Sequence, residues 1–229
     1  MEEKKNIGHL FDGIASTYDL LNHLLSLNID KWWRRKTIKQ LKPCQQVLDV
    51  AIGTADLTLE MLRQQKAEHI TGLDLSKEMM RIGLQKVQKK GLAEKVTFQQ
   101  GSAQDMPYEE NTFDAVTCAY GVRNFANLDE GLSEMHRVMK PGGQLLILEF
   151  SYPKNALVRF VYNLYFTHIM PFIGRLFSKD KAAYNYLNRS VKGFIWGEAM
   201  TARMEKAGFK QASFHTLTFG ITTLYKATK

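Results

Sequence analysis

Val47-Leu48-Asp49-Val50-Ala51-Ile52-Gly53-Thr54-Ala55-Asp56 is a short apolar run that ends in a turn around one glycine and then turns helical. A hydrophobic strand feeding a helix through a tight turn is the opening unit of a doubly wound α/β sheet, in which ligands sit at the carboxyl ends of the strands. A dinucleotide would need several glycines here, because backbone must approach a pyrophosphate closely. Gly53 stands alone between Ile52 and Ala55, and Asp49 and Asp56 flank the turn. That combination repels a phosphate and suits a cationic ligand, although an ordinary strand-to-helix turn reads the same way.

The second turn narrows the choice. Leu73-Asp74-Leu75 closes the next apolar run, with Asp74 lying 25 residues after Asp49. An acid at the end of strand two is placed to accept hydrogen bonds from ribose hydroxyls. Ser76 follows as the N-cap of a helix running to Lys90. Gln100-Gly-Ser-Ala-Gln-Asp-Met-Pro107 follows strand three and can border an adenine, with Ser102 and Ala103 offering hydrogen bonds and Asp105 and Met106 as walls. Thr117-Cys-Ala-Tyr-Gly-Val-Arg-Asn124, after strand four, lies across the cofactor from the sugar and faces the substrate, with Arg123 and Asn124 as polar groups beside an apolar strand. A surface arginine would leave the same trace.

Around these turns the pattern alternates. Strands are predicted at 47–50, 70–74, 96–100, 113–120 and 144–150, and helices at 54–64, 76–90 and 128–139, the last stopped by Pro141-Gly142-Gly143. Residues 7–41 read as helical. A helix near 197–207 and two strands at 211–219 and 221–228, joined tightly at Gly220 and hence antiparallel, finish the chain. Alternating strands and helices predict a parallel sheet covered on both faces.

The 229 residues suit one domain with an elaboration, and 45% hydrophobic with 24% charged residues is ordinary for a globular chain. Cys44 and Cys118 provide neither a disulfide framework nor a metal spacing, so no metal is expected. The charged start of the chain is no secretory signal, and no apolar run reaches a membrane-spanning length, so a cytoplasmic location is expected. The net charge is +8, and residues 152–192 carry seven basic residues against Asp180 alone. The same segment holds Phe160, Tyr162, Tyr165, Phe166, Phe172 and Phe177. Basic groups attract anionic headgroups and aromatics favour the interface, so this segment is expected to touch a membrane surface, although a lid helix with core aromatics reads alike. Nucleic acid is disfavoured, because no Asn/Asp-Pro-Pro-Tyr motif for a flipped base follows strand four.

Leu-Asp-Val with Gly-Thr-Ala-Asp, then Gly-Leu-Asp, Gly-Ser-Ala and Arg-Val-Met-Lys-Pro-Gly-Gly, resemble class I methyltransferases. Tyr18-Asp-Leu-Leu-Asn22, Trp33-Arg34, Gly121-Val-Arg-Asn-Phe125 and Leu148-Glu-Phe-Ser151 bring the chain closer to the ubiquinone/menaquinone biosynthesis C-methyltransferase family, over nearly its whole length. The resemblance implies a Rossmann-like, seven-stranded, mostly parallel sheet with an antiparallel C-terminal strand. It also implies S-adenosylmethionine as cosubstrate, with contacts at Thr54, Asp74, Ser102 and Ala103 beside Asp49, Gly53 and Tyr120. The chain departs from the family at Ile52, where a glycine is common, at Ser102, where Asn or Asp is frequent, and at Ala119, a serine in some members.

The reaction implied is methylation of a ring carbon of a prenylated naphthoquinol, demethylmenaquinol, to menaquinol. Arg123 is the candidate cation beside a phenolate, and Tyr18 and His23 are candidates to position the substrate or take a proton. Residues 1–42 would form a helical cover and 152–192 a lid on a single domain, in a peripheral protein at the inner membrane face that is compatible with a homodimer. A benzoquinol, another lipophilic acceptor such as a sterol or a phospholipid amine, and a non-catalytic S-adenosylmethionine-binding module stand as alternatives. A nicotinamide enzyme is disfavoured by the single glycine.

Overall fold

The computed structural model describes residues 7–165 and 181–229. Phe166, Phe172, Arg175, Phe177, Lys179 and Asp180, part of the expected basic aromatic lid, lie outside the described residues. The elements are α1 (Ile7–Leu25), α2 (Ile29–Ile38), β1 (Cys44–Val50), α3 (Asp56–Arg63), β2 (Ala67–Asp74), α4 (Lys77–Lys89), β3 (Val96–Gln100), β4 (Phe113–Ala119), α5 (Leu128–Val138), β5 (Met139–Phe150), α6 (Ala156–Leu164), α7 (Lys181–Gly193), α8 (Glu198–Lys206), β6 (Lys210–Leu217) and β7 (Thr222–Thr228).

The strand order is β3-β2-β1-β4-β5-β7-β6. β1 pairs in parallel with both β2 and β4, so the order reverses beside β1, and the crevice above that switch point is where this topology binds ligands. β7 runs antiparallel to β5 and to β6, as the tight join at Gly220 predicts. Successive residues of β1 face opposite sides. Leu48 and Val50 pack with Val116, Leu145 and Ile147 beneath Leu132 and Met135 of α5 and Met200 and Met204 of α8. Val47 packs with Ala115, Leu146 and Leu148 against Trp33 and Ile38 of α2 and Leu57 and Met61 of α3. Each fully buried Val, Leu, Ile or Met among these contributes about 1.5–3 kcal/mol of transfer free energy.

Two boundaries differ from expectation. Residues 7–41 are not one helical stretch: Leu27 and Asn28 adopt φ 51° and 59°, and the chain turns there between α1 and α2. The leucine spacing continues across the break, so periodicity alone does not reveal it; Asn is one of the few side chains that takes this conformation readily. Pro141-Gly142-Gly143 does not separate helix from strand but lies inside β5, which begins at Met139. The register jumps there, from Phe113 opposite Met139 to Ala115 opposite Gln144, and a proline is tolerated where the ladder is interrupted. Gly143 is required at that jump, because a Cβ would lie 2.8 Å from the Lys140 carbonyl oxygen.

Candidate active site

The first turn is built on left-handed backbone: Ala51, Gly53 and Ala55 have φ 56°, 54° and 64°. Two of these carry side chains, and such positions cluster at functional sites. The Ile52 side chain leaves the turn and packs on Gly72, where a Cβ would stand 2.1 Å from Cδ1 of Ile52. The missing glycine at position 52 is thus accommodated by one on β2. The turn after β4 leans on the first: a Cβ on Gly121 would lie 2.5 Å from that of Ala51.

Asp74 ties the first two turns together. Its Oδ2 accepts the Gly53 N–H at 2.8 Å and its Oδ1 the Ser76 N–H at 2.9 Å. Burial raises its pKa and these N–H donors pull it back. Each oxygen retains a lone pair, and the residue lines a cavity of about 240 Å³ together with Gly53, Ser102, Ala103 and Tyr120. Ser76 caps α4, its Oγ accepting the Met79 N–H at 3.1 Å. The same hydroxyl donates to Asp12 of α1 at 2.5 Å, and Asp12 also accepts the Glu78 N–H at 3.2 Å. These bonds fix α1 over the crevice.

Other expected contacts lie elsewhere. Asp49 is buried beneath the site, where its two oxygens accept the hydroxyls of Thr58 at 2.7 Å and Thr117 at 2.8 Å. Burial pushes its pKa up to about 6. Thr54 turns its hydroxyl to Asp19, 2.5 Å away. Neither residue is among those lining the cavity. Met106 belongs to the core; the wall expected from Asp105 and Met106 is made instead by Leu75, Met79 and Gln104. Leu75, 44% exposed beside a buried strand end, carried a sequence signal of its own, an apolar residue next to the ribose-type acid. Ile7, Gly8 and Phe11, which also line the cavity, reach it only through tertiary packing of α1.

A second cavity of about 530 Å³ adjoins the first, with Phe11, Tyr18 and Tyr120 lining both. Its walls are largely apolar, from α1, α2 and α6, with Asp30, Arg34 and Arg123 among the exceptions. Arg123 is buried: Nη1 donates to Glu149 Oε1 at 2.9 Å and to the Tyr120 carbonyl, while the backbone N–H reaches Glu149 Oε2 at 3.2 Å. Its Nε has no hydrogen-bond partner among the described residues. The guanidinium sits 5.5 Å from the Phe150 ring, the Phe150 and Tyr120 rings are 4.5 Å apart, and Arg34 lies 5.5 Å from the Tyr120 ring. Two cations therefore bracket an aromatic pair in the cavity wall. Burial raises the Tyr18 pKa, and the Arg123 charge offsets part of that rise.

His23 does not line either cavity. Its Nδ1 lies 2.8 Å from Asp30 Oδ2 and its Nε2 3.6 Å from Asp56 Oδ2. Arg34 pairs with both carboxylates, and Lys86 pairs with Asp56 and, at 2.7 Å, with Asp19. This network joins α1, α2, α3 and α4 beside the crevice. Asp56 belongs to it rather than to the cavity, so the acidic pair flanking Gly53 does not act as a pair on one ligand.

The smaller cavity has the Asp74 carboxylate in its wall and, at its first turn, the single Gly53 in place of the several glycines of a pyrophosphate cradle, a lining compatible with a nucleoside carrying a sulfonium. A model of the ubiE/COQ5 methyltransferase family matches residues 1–229. The demethylmenaquinone methyltransferase of Bacteroides fragilis is 45% identical, over 100% of this chain and 94% of its own length. The ubiquinone/menaquinone biosynthesis C-methyltransferase UbiE of Geotalea daltonii is 43% identical, over 100% of this chain and 98% of its own. Among solved structures, the cyclase SpnF superposes with a TM-score of 0.71 at 16% identity over 99% of this chain and 96% of that one. A SAM-dependent methyltransferase of Thermotoga maritima gives 0.64 at 17% identity over 97% and 99%. At such identity these two speak for the fold alone, and a cyclase on the same fold underlines that chemistry resides in the site. The chain belongs to the ubiE/COQ5 methyltransferase family.

Proposed function

We propose that the chain methylates a ring carbon of demethylmenaquinol, producing menaquinol in menaquinone biosynthesis. As a member of its family it is an S-adenosylmethionine-dependent methyltransferase of quinone biosynthesis. The observation that carries the reading is the pair of adjoining cavities: a small one rimmed by Asp74 and a larger, apolar one holding Arg123, meeting at Phe11, Tyr18 and Tyr120.

S-adenosylmethionine supplies a methyl group on an electrophilic sulfonium. The residues of the chain must align a ring carbon with it, which is mainly positioning. Asp74 holds the ribose diol with its free lone pairs, while Gly53, Ser102, Ala103 and Tyr120 enclose the rest. Asp49 and Thr54 act from behind, holding the strand ends and α1 in place. A neutral quinol carbon is a poor nucleophile, and losing the neighbouring hydroxyl proton places negative charge on it. Arg123, permanently charged and with Nε unpartnered, stabilises that phenolate. Tyr18, at the junction, positions the ring. The hydroxyl proton leaves by Asp30, which faces the larger cavity, to His23 behind it at 2.8 Å. The carbon–methyl bond forms as the sulfonium–methyl bond breaks. The ring proton at that carbon is then lost and the ring oxygen takes a proton back, so menaquinol forms and one proton is released overall.

The first two helices serve as the cover of the site, and the inner face of α6, with Leu157, Val158, Val161 and Tyr162, closes the larger cavity. No helix of the described residues is long and apolar enough to cross a membrane. The chain meets its acceptor as a peripheral protein at the inner membrane face. The test is methyl transfer to demethylmenaquinol in detergent by the wild type and by Arg123→Ala, with cofactor affinity measured on both. Turnover falls sharply in the variant while cofactor affinity survives; unchanged turnover would remove Arg123 from the mechanism.

A further inference from the structure

Helix α6 turns an apolar stripe outward. Leu157, Phe160, Val161 and Leu164 recur at the spacing of one helical face, and all four are exposed, Leu157 at 73% and Phe160 at 66%. Two more large hydrophobes stand in water on other elements, Leu27 at 70% and Phe219 at 81%. Both hold left-handed backbone, with φ 51° and 56°, a conformation unfavourable for any residue with a side chain. The tip carrying Phe219 is anchored, because Trp33 Nε1 donates to the neighbouring Thr218 hydroxyl at 2.8 Å. Leu27, Leu157, Val161 and Phe219 also line the larger cavity, so the exposed apolar surface is continuous with the cavity interior and forms its rim. Exposed cations accompany this rim along the chain: Lys31 four residues after Leu27, Lys154 just before α6 and Arg159 on it. Asp30, the acidic residue of α2, is buried under Arg34.

We propose that this rim seats on an anionic lipid bilayer, with Leu27, Phe219 and the outer face of α6 entering the acyl boundary so that the larger cavity opens into the lipid phase. A bilayer fits better than a second copy of the chain: a two-fold contact lays a patch on itself and would press like charges together, whereas anionic headgroups complement them. The inference rests on the reading of the acceptor as a membrane-held quinol. It adds the face of the molecule and the consequence that the prenyl tail stays in lipid while the ring enters the cavity, with no transfer of the tail through water.

Phe160 and Leu164 are not among the residues lining the cavity, which makes them the test. In sedimentation with phosphatidylcholine vesicles containing phosphatidylglycerol, the Phe160→Ser/Leu164→Ser double variant binds about 100-fold more weakly than wild type, from the apolar burial of two side chains. It retains the wild-type rate on a quinol with a short tail presented in detergent. The Lys154→Glu/Arg159→Glu variant loses binding to the same vesicles while keeping its weak binding to phosphatidylcholine alone. Equal vesicle binding by wild type and the double variant would overturn the docking face and leave the choice of acceptor standing. Wild type bound to neither vesicle, or a double variant that changes only the oligomeric state, would also overturn it. Absence of methyl transfer to the short-tailed quinol by wild type would instead refute the acceptor reading.

Discussion

Replacing Asp74 by Asn separates ligand contact from support. Both carboxylate oxygens are already engaged, by Gly53 N–H at 2.8 Å and Ser76 N–H at 2.9 Å. An amide has a single acceptor oxygen. Asn therefore satisfies one backbone donor and turns its own NH2 at the other. Toward the ribose, one charge-assisted bond disappears and the other weakens by about half. At about 1.5–3 kcal/mol for a hydrogen bond to a charged group, the loss is about 2–4 kcal/mol. That is about a 30-fold to 1,000-fold rise in Kd for S-adenosylmethionine. Asp49→Asn is the control. Its partners are two threonine hydroxyls, which can donate or accept, so an amide satisfies both, and its side chain does not line the cavity. Titration calorimetry on the two variants should show a large loss for Asp74→Asn and little for Asp49→Asn. Equal losses, or an unaltered Kd for Asp74→Asn, would refute the assignment of Asp74 as the ribose acceptor.

Further outcomes follow from the buried charges and close contacts. Asp49 has its pKa raised from 3.8 to about 6 by burial, so between those values the folded state binds more protons than the unfolded one. Stability then falls as pH rises through that window, by about 3 kcal/mol in total; urea unfolding between pH 4 and pH 7 should show this slope in wild type and its loss in Asp49→Asn. Glu149→Ala strands the Arg123 charge in the interior and should cost about 3–5 kcal/mol in the same assay, together with turnover. Gly121→Ala brings a methyl within 2.5 Å of the Ala51 Cβ and 2.7 Å of Cys118 Sγ. It should cost about 1–3 kcal/mol and weaken cofactor binding, read by thermal unfolding with and without S-adenosylmethionine.

What the chain discloses in sequence depends on whether the signal is local. The strand–Gly53–helix turn, Asp74 and the Ser76 cap are local events, and each lies where its residue type predicts. Gly53, Asp74, Ser102, Ala103 and Tyr120 meet in one cavity because all follow the carboxyl ends of neighbouring parallel strands. Asp49 is equally conspicuous in sequence, but its side chain points into the face covered by α3, where the hydroxyls of Thr58, on the next helix, and of Thr117, 68 residues away, receive it. Alternation marks it as inward-facing without saying what it meets. His23 is withdrawn from the cavity by Asp30, seven residues on, which approaches only because the chain reverses at Leu27 and Asn28. The outward apolar face of α6 was hidden for a different reason. Its spacing is that of any amphipathic helix, and only the packed chain reveals which side is covered.

The central claim is most directly tested by incubating the protein with S-adenosylmethionine bearing a deuterated methyl group and demethylmenaquinol, then measuring the mass of the oxidised quinone. Methylation at carbon yields a product heavier by one deuterated methyl group in place of a ring hydrogen, with the label on the quinone ring and no methyl ether. Recovery of demethylmenaquinone at its starting mass, or a label carried on oxygen, would contradict it.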